Sequence, residues 1–197
     1  MQSPSIDGFI YVPSISRYVS KGLKHKSKNW FDAHQELHKE GYRMQTMPEF
    51  IEFIKYLRTG YSNRQEAEQI LDEILTKRDP LRAEWLDADF KIMNNGLYIN
   101  YLHESKKNSL QPKHQELLHS DTLMENKTPG INLEDWLNNP TSQGLPRSNI
   151  QNGSLWYWHP RSETVARFVA GSGRVDLSCN GDPLFSGELI GVRPSRA

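Results

Sequence analysis

The spacing of apolar positions changes several times along the chain, and each change predicts an element. Phe9-Ile10-Tyr11-Val12-Pro13-Ser14-Ile15 is a short β-branched and aromatic run closed by proline and serine, which reads as an opening strand. Pro13 cannot donate to a ladder, so this strand belongs at a sheet edge. From Asn29 the spacing becomes helical: Asn29 suits the N-cap, Trp30, Ala33 and Leu37 share a face, and Gly41 ends the run. A second helix is predicted over 48–59, with Pro48 in the first turn, Phe50, Ile51, Phe53, Ile54 and Leu57 as an apolar stripe, and Gly60 as the stop. A third runs from Asn63 to Lys77 on Ala67, Ile70, Leu71, Ile74 and Leu75, until Asp79-Pro80 breaks the pattern. Asn94-Asn95-Gly96 then predicts a hairpin turn into a strand over 97–102.

Between Glu104 and Gly153 the pattern turns loop-like, broken by Pro112, Pro129, Gly130, Pro140, Gly144 and Pro146, with only Leu133 to Leu137 resembling a helical turn. Residues 104–152 therefore read as a loop-rich insertion, although about fifty residues without any short element would be unusually long.

The closing segment, 153–193, differs in kind. It is lysine-free and glycine-rich, and within it residues alternate between a set that looks fixed by packing and a set that looks arbitrary. Phe168, Ala170 and Ser172 alternate with Val169, Gly171 and Gly173; after a phase slip Leu177 and Cys179 alternate with Asp176, Ser178 and Asn180. A two-sided strand with a freely drifting outer face would also alternate. The arbitrary set nonetheless mixes valine, glycines, aspartates, a phenylalanine and a leucine, which share no strand propensity, and glycine is unfavourable inside strands.

Composition narrows the function classes. The chain has 197 residues with 24 Lys+Arg against 24 Asp+Glu, a formal net charge of zero, which disfavours a protein built overall for nucleic acid or anionic membrane. The length suits a single domain over 1–197. One cysteine, Cys179, excludes an internal disulfide and a multi-cysteine zinc site. No run of 18 apolar residues could span a bilayer, and the start lacks the basic-then-apolar pattern of a secretory signal, so a soluble protein without membrane insertion is expected, its location left open, with association with a virion and display on a surface among the alternatives. Arg17 to Lys28 holds Arg17, Lys21, Lys24, His25, Lys26 and Lys28 without an acid; it reads as a solvated connection, with a phosphate-binding patch for nucleic acid as the alternative. His34-Gln35-Glu36-Leu37-His38 resembles a zinc-protease helix, but its glutamate is one position late and points about 100° away. Two histidines four apart could grip a metal, yet no third ligand is apparent, so no metal and no cofactor are expected.

Val165-Ala166-Arg167-Phe168, Leu177-Ser178-Cys179, Asp182-Pro183 and Gly191-Val192-Arg193 resemble the variable region of the variable proteins of diversity-generating retroelements. Upstream, Gly41-Tyr42-Arg43-Met44-Gln45-Thr46-Met47-Pro48-Glu49-Phe50 resembles a stretch of the formylglycine-generating-enzyme type of C-type lectin fold, which those proteins share. The matches cover roughly 29–60 and 153–193. The resemblance implies an α+β C-type lectin fold: two main helices packed on a twisted mixed β-sheet, with an additional helix and the loop-rich insertion. It implies a non-enzymatic binder of a macromolecular ligand, a protein or cell-surface receptor, whose surface residues are diversified by adenine-directed mutagenesis. Randomising the adenines of an Asn codon cannot yield Lys, Glu, Gln, Met or Trp. Val169, Gly171, Gly173, Asp176, Ser178, Asn180, Asp182, Phe185, Gly187 and Leu189 satisfy that restriction, as do Leu184, Tyr157 and His159; Glu188 does not. These thirteen positions are the expected ligand-binding set. Trp156, Trp158, Arg167, Phe168, Leu177, Cys179, Gly191 and Arg193 are the expected scaffold, with the two arginines pinning the segment through carbonyls or carboxylates. The alternative is an enzyme of the same fold, but the formylglycine-generating enzymes use a pair of cysteines to hold copper and this chain has one.

Overall fold

A computed structural model describes residues 6–106 and 109–197. Strand outweighs helix, 39% to 23%, so the chain is α+β and sheet-rich. A four-stranded sheet in the order β1-β2-β12-β3 uses β1 (Phe9–Val12), β2 (Arg17–Ser20), β3 (Arg43–Met44) and β12 (Pro194–Arg196). The strand expected at the start is β1, and it lies at the edge. Part of the basic stretch, read as a connection, is strand β2.

An eight-stranded sheet follows the order β6-β5-β4-β9-β10-β8-β7, with β11 (Ile190–Val192) paired to β4. Its members are β4 (Arg82–Met93), β5 (Gly96–Lys106), β6 (Ser109–Leu117), β7 (Lys127–Ile131), β8 (Leu155–Trp158), β9 (Thr164–Ala170) and β10 (Val175–Gly181). The sheet is mixed: β10/β8 and β11/β4 are parallel, the others antiparallel. The expected hairpin joins β4 to β5, with Met93 opposite Gly96 across Asn94 and Asn95. The closing segment is not an appendage, because β9 and β10 lie inside the sheet between β4 and β8.

Three helices form where the caps and stripes place them. In α1 (Trp30–Lys39) the Asn29 side chain accepts from Asp32 N at 2.8 Å. In α2 (Met47–Thr59) Glu49 accepts from Thr46 N at 3.0 Å and is clamped by the Arg43 guanidinium. In α3 (Arg64–Leu75) the Asn63 side chain accepts from Glu66 N at 3.2 Å. The stripe of α2 is buried against β4 and β9, with Phe50 and Phe168 rings 5.2 Å apart. A smaller apolar cluster joins Trp30, Ala33 and Leu37 of α1 to Met44, Trp85, Val165 and Ile190.

The reading of 104–152 as a loop-rich insertion needs correcting. It contains the nine residues of β6, then β7 and α4 (Leu133–Asn138), and it supplies Leu123, Ile131, Trp136, Leu137 and Leu145 to the main core. Trp136 stacks on Phe168 with centroids 6.2 Å apart, so this region and the closing segment share one core. β6 escaped notice because it is an almost wholly exposed edge strand with no apolar alternation, and its lysine, glutamate and proline are the residues that protect an edge from further pairing.

A buried ionic knot ties the two sheets. Glu84 on β4 accepts from Arg82 Nη2 at 2.9 Å and from Arg193 Nε at 3.1 Å, while Arg193 Nη1 donates to Ser20 O at 2.8 Å and to Lys21 O. The guanidinium also lies 5.3 Å from the centroid of Phe53. Arg193 thus pins the segment to both carbonyls and a carboxylate, as expected of it. Burial works to raise the Glu84 pKa, but the Arg82 and Arg193 charges outweigh it and hold the carboxyl below its ordinary 4.5. The linkage sign follows: this stabilisation is present above about 4.5 and is lost as pH falls through the lower folded-state value. Glu84→Ala leaves two guanidiniums uncompensated and should cost about 3–5 kcal/mol in urea unfolding at neutral pH, with a smaller deficit in acid. An equal deficit at both pH values would show that the charge is not what matters.

Candidate functional site

Strand pairing assigns the closing segment's side chains to two faces. Val169, Phe168 and Arg167 of β9 stand opposite Asp176, Leu177 and Ser178 of β10, and on their other side opposite Ala83, Glu84 and Trp85 of β4. Strand β8 runs parallel to β10, with Trp156 beside Asp176, Tyr157 beside Leu177 and Trp158 beside Ser178. Residues paired across a sheet share a face. One face therefore carries the rows Trp156-Asp176-Val169 and Trp158-Ser178-Arg167, and the other carries Tyr157-Leu177-Phe168.

The first face forms the wall of a concavity of about 890 Å³. Val169, Asp176, Ser178 and Asn180 line it from the strands, and Phe185, Gly187 and Leu189 line it from the loop leading to β11. Leu81 and Ala83 complete the far side. The lining is amphipathic. Arg167 lies 5.8 Å from the Trp85 ring and 5.4 Å from Phe185, and its Nε is buried without a partner. Burial pulls the Arg167 pKa down, opposed by Asp176 and Asp182. Arg174 Nε donates to Asp176 Oδ2 at 3.1 Å and the guanidinium lies 4.7 Å from the Trp156 ring. Ser178 Oγ donates to Asn180 Oδ1 at 3.0 Å.

The three glycines of the expected ligand-binding set have room for side chains. A Cβ at Gly171 would come no closer than 3.6 Å to Arg174 O, one at Gly173 would meet nothing within 4 Å, and one at Gly187 would meet only the movable Phe185 ring, at 3.2 Å. At Gly191, expected to be scaffold, the Cβ would lie 2.9 Å from the backbone oxygen of Lys24.

Not every expected position joins the concavity. Gly171 and Gly173 line an adjoining groove of about 350 Å³ together with Arg174 and Leu189. Asp182 and Leu184 are exposed on the rim loop, where Asp182 Oδ1 accepts from Leu184 N at 2.8 Å. His159 lies apart, its ring 2.8 Å from Asn126 Oδ1. Tyr157, expected on the ligand face, is fully buried and donates to Leu123 O at 3.0 Å. Trp156 and Trp158, expected as buried scaffold, are half-buried on the ligand face, and Trp158 lines the concavity. The phase of β8 is therefore reversed: four consecutive large apolar and aromatic residues give no alternation to read, and the parallel pairing with β10 decides which pair faces the core. Arg167, also expected as scaffold, lines the concavity. Phe168, Leu177, Cys179 and Arg193 are fully buried as scaffold should be. Leu81, Arg174 and Glu188 line the concavity although sequence reasoning did not assign them to it.

The residues of the competing functions are differently placed. Cys179 is buried, and burial pushes its thiol far above the ordinary range, which makes it a small hydrophobe and no nucleophile. In the basic stretch, Lys21 pairs with Glu66 at 2.7 Å, and Glu40 takes Lys24 at 3.1 Å and His25 at 3.2 Å. Two of the five Lys and Arg of the stretch are thus paired with acids, Glu66 of α3 and Glu40 just past α1. Among the described residues no helix is long and apolar enough to cross a membrane. No protein-family model, curated protein or solved structure matches the chain.

Tyr157→Ala should lower the unfolding free energy by about 3–5 kcal/mol, whereas Gly171→Ser with Asp176→Asn and Asn180→Ser should leave it nearly unchanged or raised. Urea unfolding of the two variants checks the assignment of faces, and the reverse ranking would overturn it. Asp176 gives a pH signature. Its pKa is raised by burial, with Arg174 opposing, so the folded state favours its protonated form and stability declines as pH rises from about 3.8 through the folded-state value. Asp176→Asn removes that decline. The variant's stability relative to the parent should accordingly rise between pH 3 and pH 7, measured by chemical denaturation.

Proposed function

We propose that the chain is a variable protein of a diversity-generating retroelement, a non-enzymatic binder with a C-type lectin fold whose closing segment presents a replaceable surface to a macromolecular ligand. The observation that carries this reading is that the set which sequence alternation marks as arbitrary falls largely on one side of the segment. Seven of the thirteen positions line one concavity from β9, β10 and the loop before β11, and Gly171, Gly173 and Gly187 have room for side chains while Gly191 does not. Their strand alternates, Phe168, Leu177 and Cys179, are core. A wall of this kind can change identity without changing the fold.

A protein ligand is favoured over a small molecule by the rim. Leu81, Leu184, Phe185 and Leu189 are all substantially exposed, Leu184 by 68%, and exposed apolar side chains grouped at one site are the kind of surface a protein partner covers. Asp182, Leu184, Gly171 and Gly173 extend the surface beyond the concavity itself. Display on sheet strands with buried alternates lowers the ordering cost that flexible loops would add to binding.

The test is a displayed library with adenine-restricted codons at 169, 171, 173, 176, 178, 180, 185 and 189. Most members should fold with melting temperatures near the parent's, and selections against unrelated proteins should each yield binders. A matched library at 168, 177, 181 and 191 should be largely unfolded, because a Cβ at Gly181 or Gly191 lies 2.9 Å from a backbone oxygen. Equal tolerance in the two libraries would refute the reading. A genomic neighbourhood with neither a reverse transcriptase nor a near-copy of the coding segment for the closing region would refute the retroelement part separately.

A further inference from the structure

Away from the ligand concavity, the fold brings together a cluster that the sequence keeps apart. His34 on α1, Asp87 on β4 and His103 on β5 each offer one ligand atom, and these atoms all lie within 4.8 Å of one another in a buried setting. His34 Nε2 is 3.6 Å from Asp87 Oδ1, and His103 Nδ1 is 2.5 Å from the same oxygen. None of the three lines the concavity. We propose that His34, Asp87 and His103 form a binding site for one divalent transition-metal ion of the zinc class.

Two features carry the proposal beyond proximity. His34 is 0% exposed and neither ring nitrogen has a hydrogen-bond partner. A buried imidazole left wholly unpaired forfeits hydrogen bonds that water would supply, and a metal bond to one nitrogen offsets that loss. The second feature is the support behind His103. Its Nε2 donates to Asp89 Oδ1 at 2.8 Å; Asp89 Oδ2 accepts from Asn100 Nδ2 at 3.0 Å, and Asn100 Oδ1 accepts from Gln115 Nε2 at 2.9 Å. A carboxylate holding the far nitrogen is the arrangement that orients a metal-ligating histidine and fixes its tautomer.

The dimensions suit a tetrahedral ion. Metal–ligand bonds of about 2.0–2.1 Å place neighbouring ligand atoms about 3.3 Å apart, close to the 3.6 Å between His34 and Asp87. The ion takes the place of the proton shared by His103 Nδ1 and Asp87 Oδ1, and those two atoms separate by under about 1 Å. Asp87 also lines a small cavity of about 40 Å³ with Thr46, Tyr101 and Gln143, room for a water as fourth ligand. His103 lines two surface concavities, of about 230 and 450 Å³, which give the ion its route inward. His38, the i+4 neighbour of His34, is engaged with Ser105 Oγ at 2.9 Å and is not a ligand.

The full chain is stripped with chelator and titrated with zinc chloride by calorimetry, with cobalt as the spectroscopic probe. One equivalent should bind and raise the melting temperature, and cobalt should show the visible bands of a tetrahedral site. His34→Ala and Asp87→Asn should abolish stoichiometric binding. Asp89→Asn, at the edge of the cluster and less exposed to folding failure, should weaken zinc binding about 10–100-fold. His38→Ala should bind as the parent does. No stoichiometric binding by the parent overturns the proposal, and so does equal affinity in the parent and Asp89→Asn, or loss of binding in His38→Ala with retention in His34→Ala.

Discussion

The interaction on which the architecture depends is the pairing of Glu84 with Arg193 in the interior. Arg193 comes from the end of the chain, Glu84 from the centre of the large sheet, and Ser20 and Lys21, whose carbonyls both accept from Arg193 Nη1, from the end of a strand in the small one. Taking two charges out of water is costly, and their attraction repays it only when further hydrogen bonds satisfy the remaining protons and lone pairs. Here the second arginine and the two carbonyls supply part of that satisfaction, while Glu84 Oε1 and Arg193 Nη2 are left buried without a hydrogen-bond partner. The consequence is topological. The last strand returns to the small sheet only after β11 has been laid beside β4, so the closing segment is fixed at both ends before any ligand is considered.

That fixation explains how the segment can be indifferent to half of its own residues. β9 and β10 have neighbours on both sides, and their inward row joins α2 through Phe50 and α4 through Trp136. Burying large side chains such as Phe168 and Leu177 stabilises the sheet by about 1.5–3 kcal/mol each, and none of that contribution comes from the outward row. The outward residues interact chiefly with each other and with guanidiniums of Arg167 and Arg174 stacked on aromatic rings. On the proposed reading, recognition belongs to the outward row, in which Asp176 and Ser178 are themselves buried in the wall of the concavity, and the large apolar side chains belong to the inward one.

Much of this was legible in the sequence, and unevenly so for physical reasons. The helices were, because Asn29, Asn63 and Pro48 act locally and the apolar stripes of α1 to α3 have the helical period. The two faces of β9 and β10 were, because Phe168, Leu177 and Cys179 alternate with residues of unlike chemistry. The face of β8 was not, since Leu155-Trp156-Tyr157-Trp158 is apolar throughout and only its partner strand breaks the symmetry. Strand β6 was hidden by the polarity that protects it as an edge. The cluster around His34 was invisible in principle. Its partners Asp87 and His103 come from distant parts of the chain, and the nearer His38, which the i, i+4 spacing suggested, turns to Ser105 instead.

A wall made only of replaceable residues would have no constant character, yet Trp158, Arg167 and Glu188 line the concavity and lie outside the set proposed to be replaceable. Arg167 in particular lies against the Trp85 ring, which is outside the replaceable set, with its Nε buried and unpartnered, so on that reading one constant ring keeps a cation in the wall. A ligand group that pairs with it gains a stronger charge-assisted bond than it would in water. If the proposed function holds, the replaceable positions select among partners that share this requirement: specificity is set by the replaceable side chains, and the orientation of the bound partner by the constant ones.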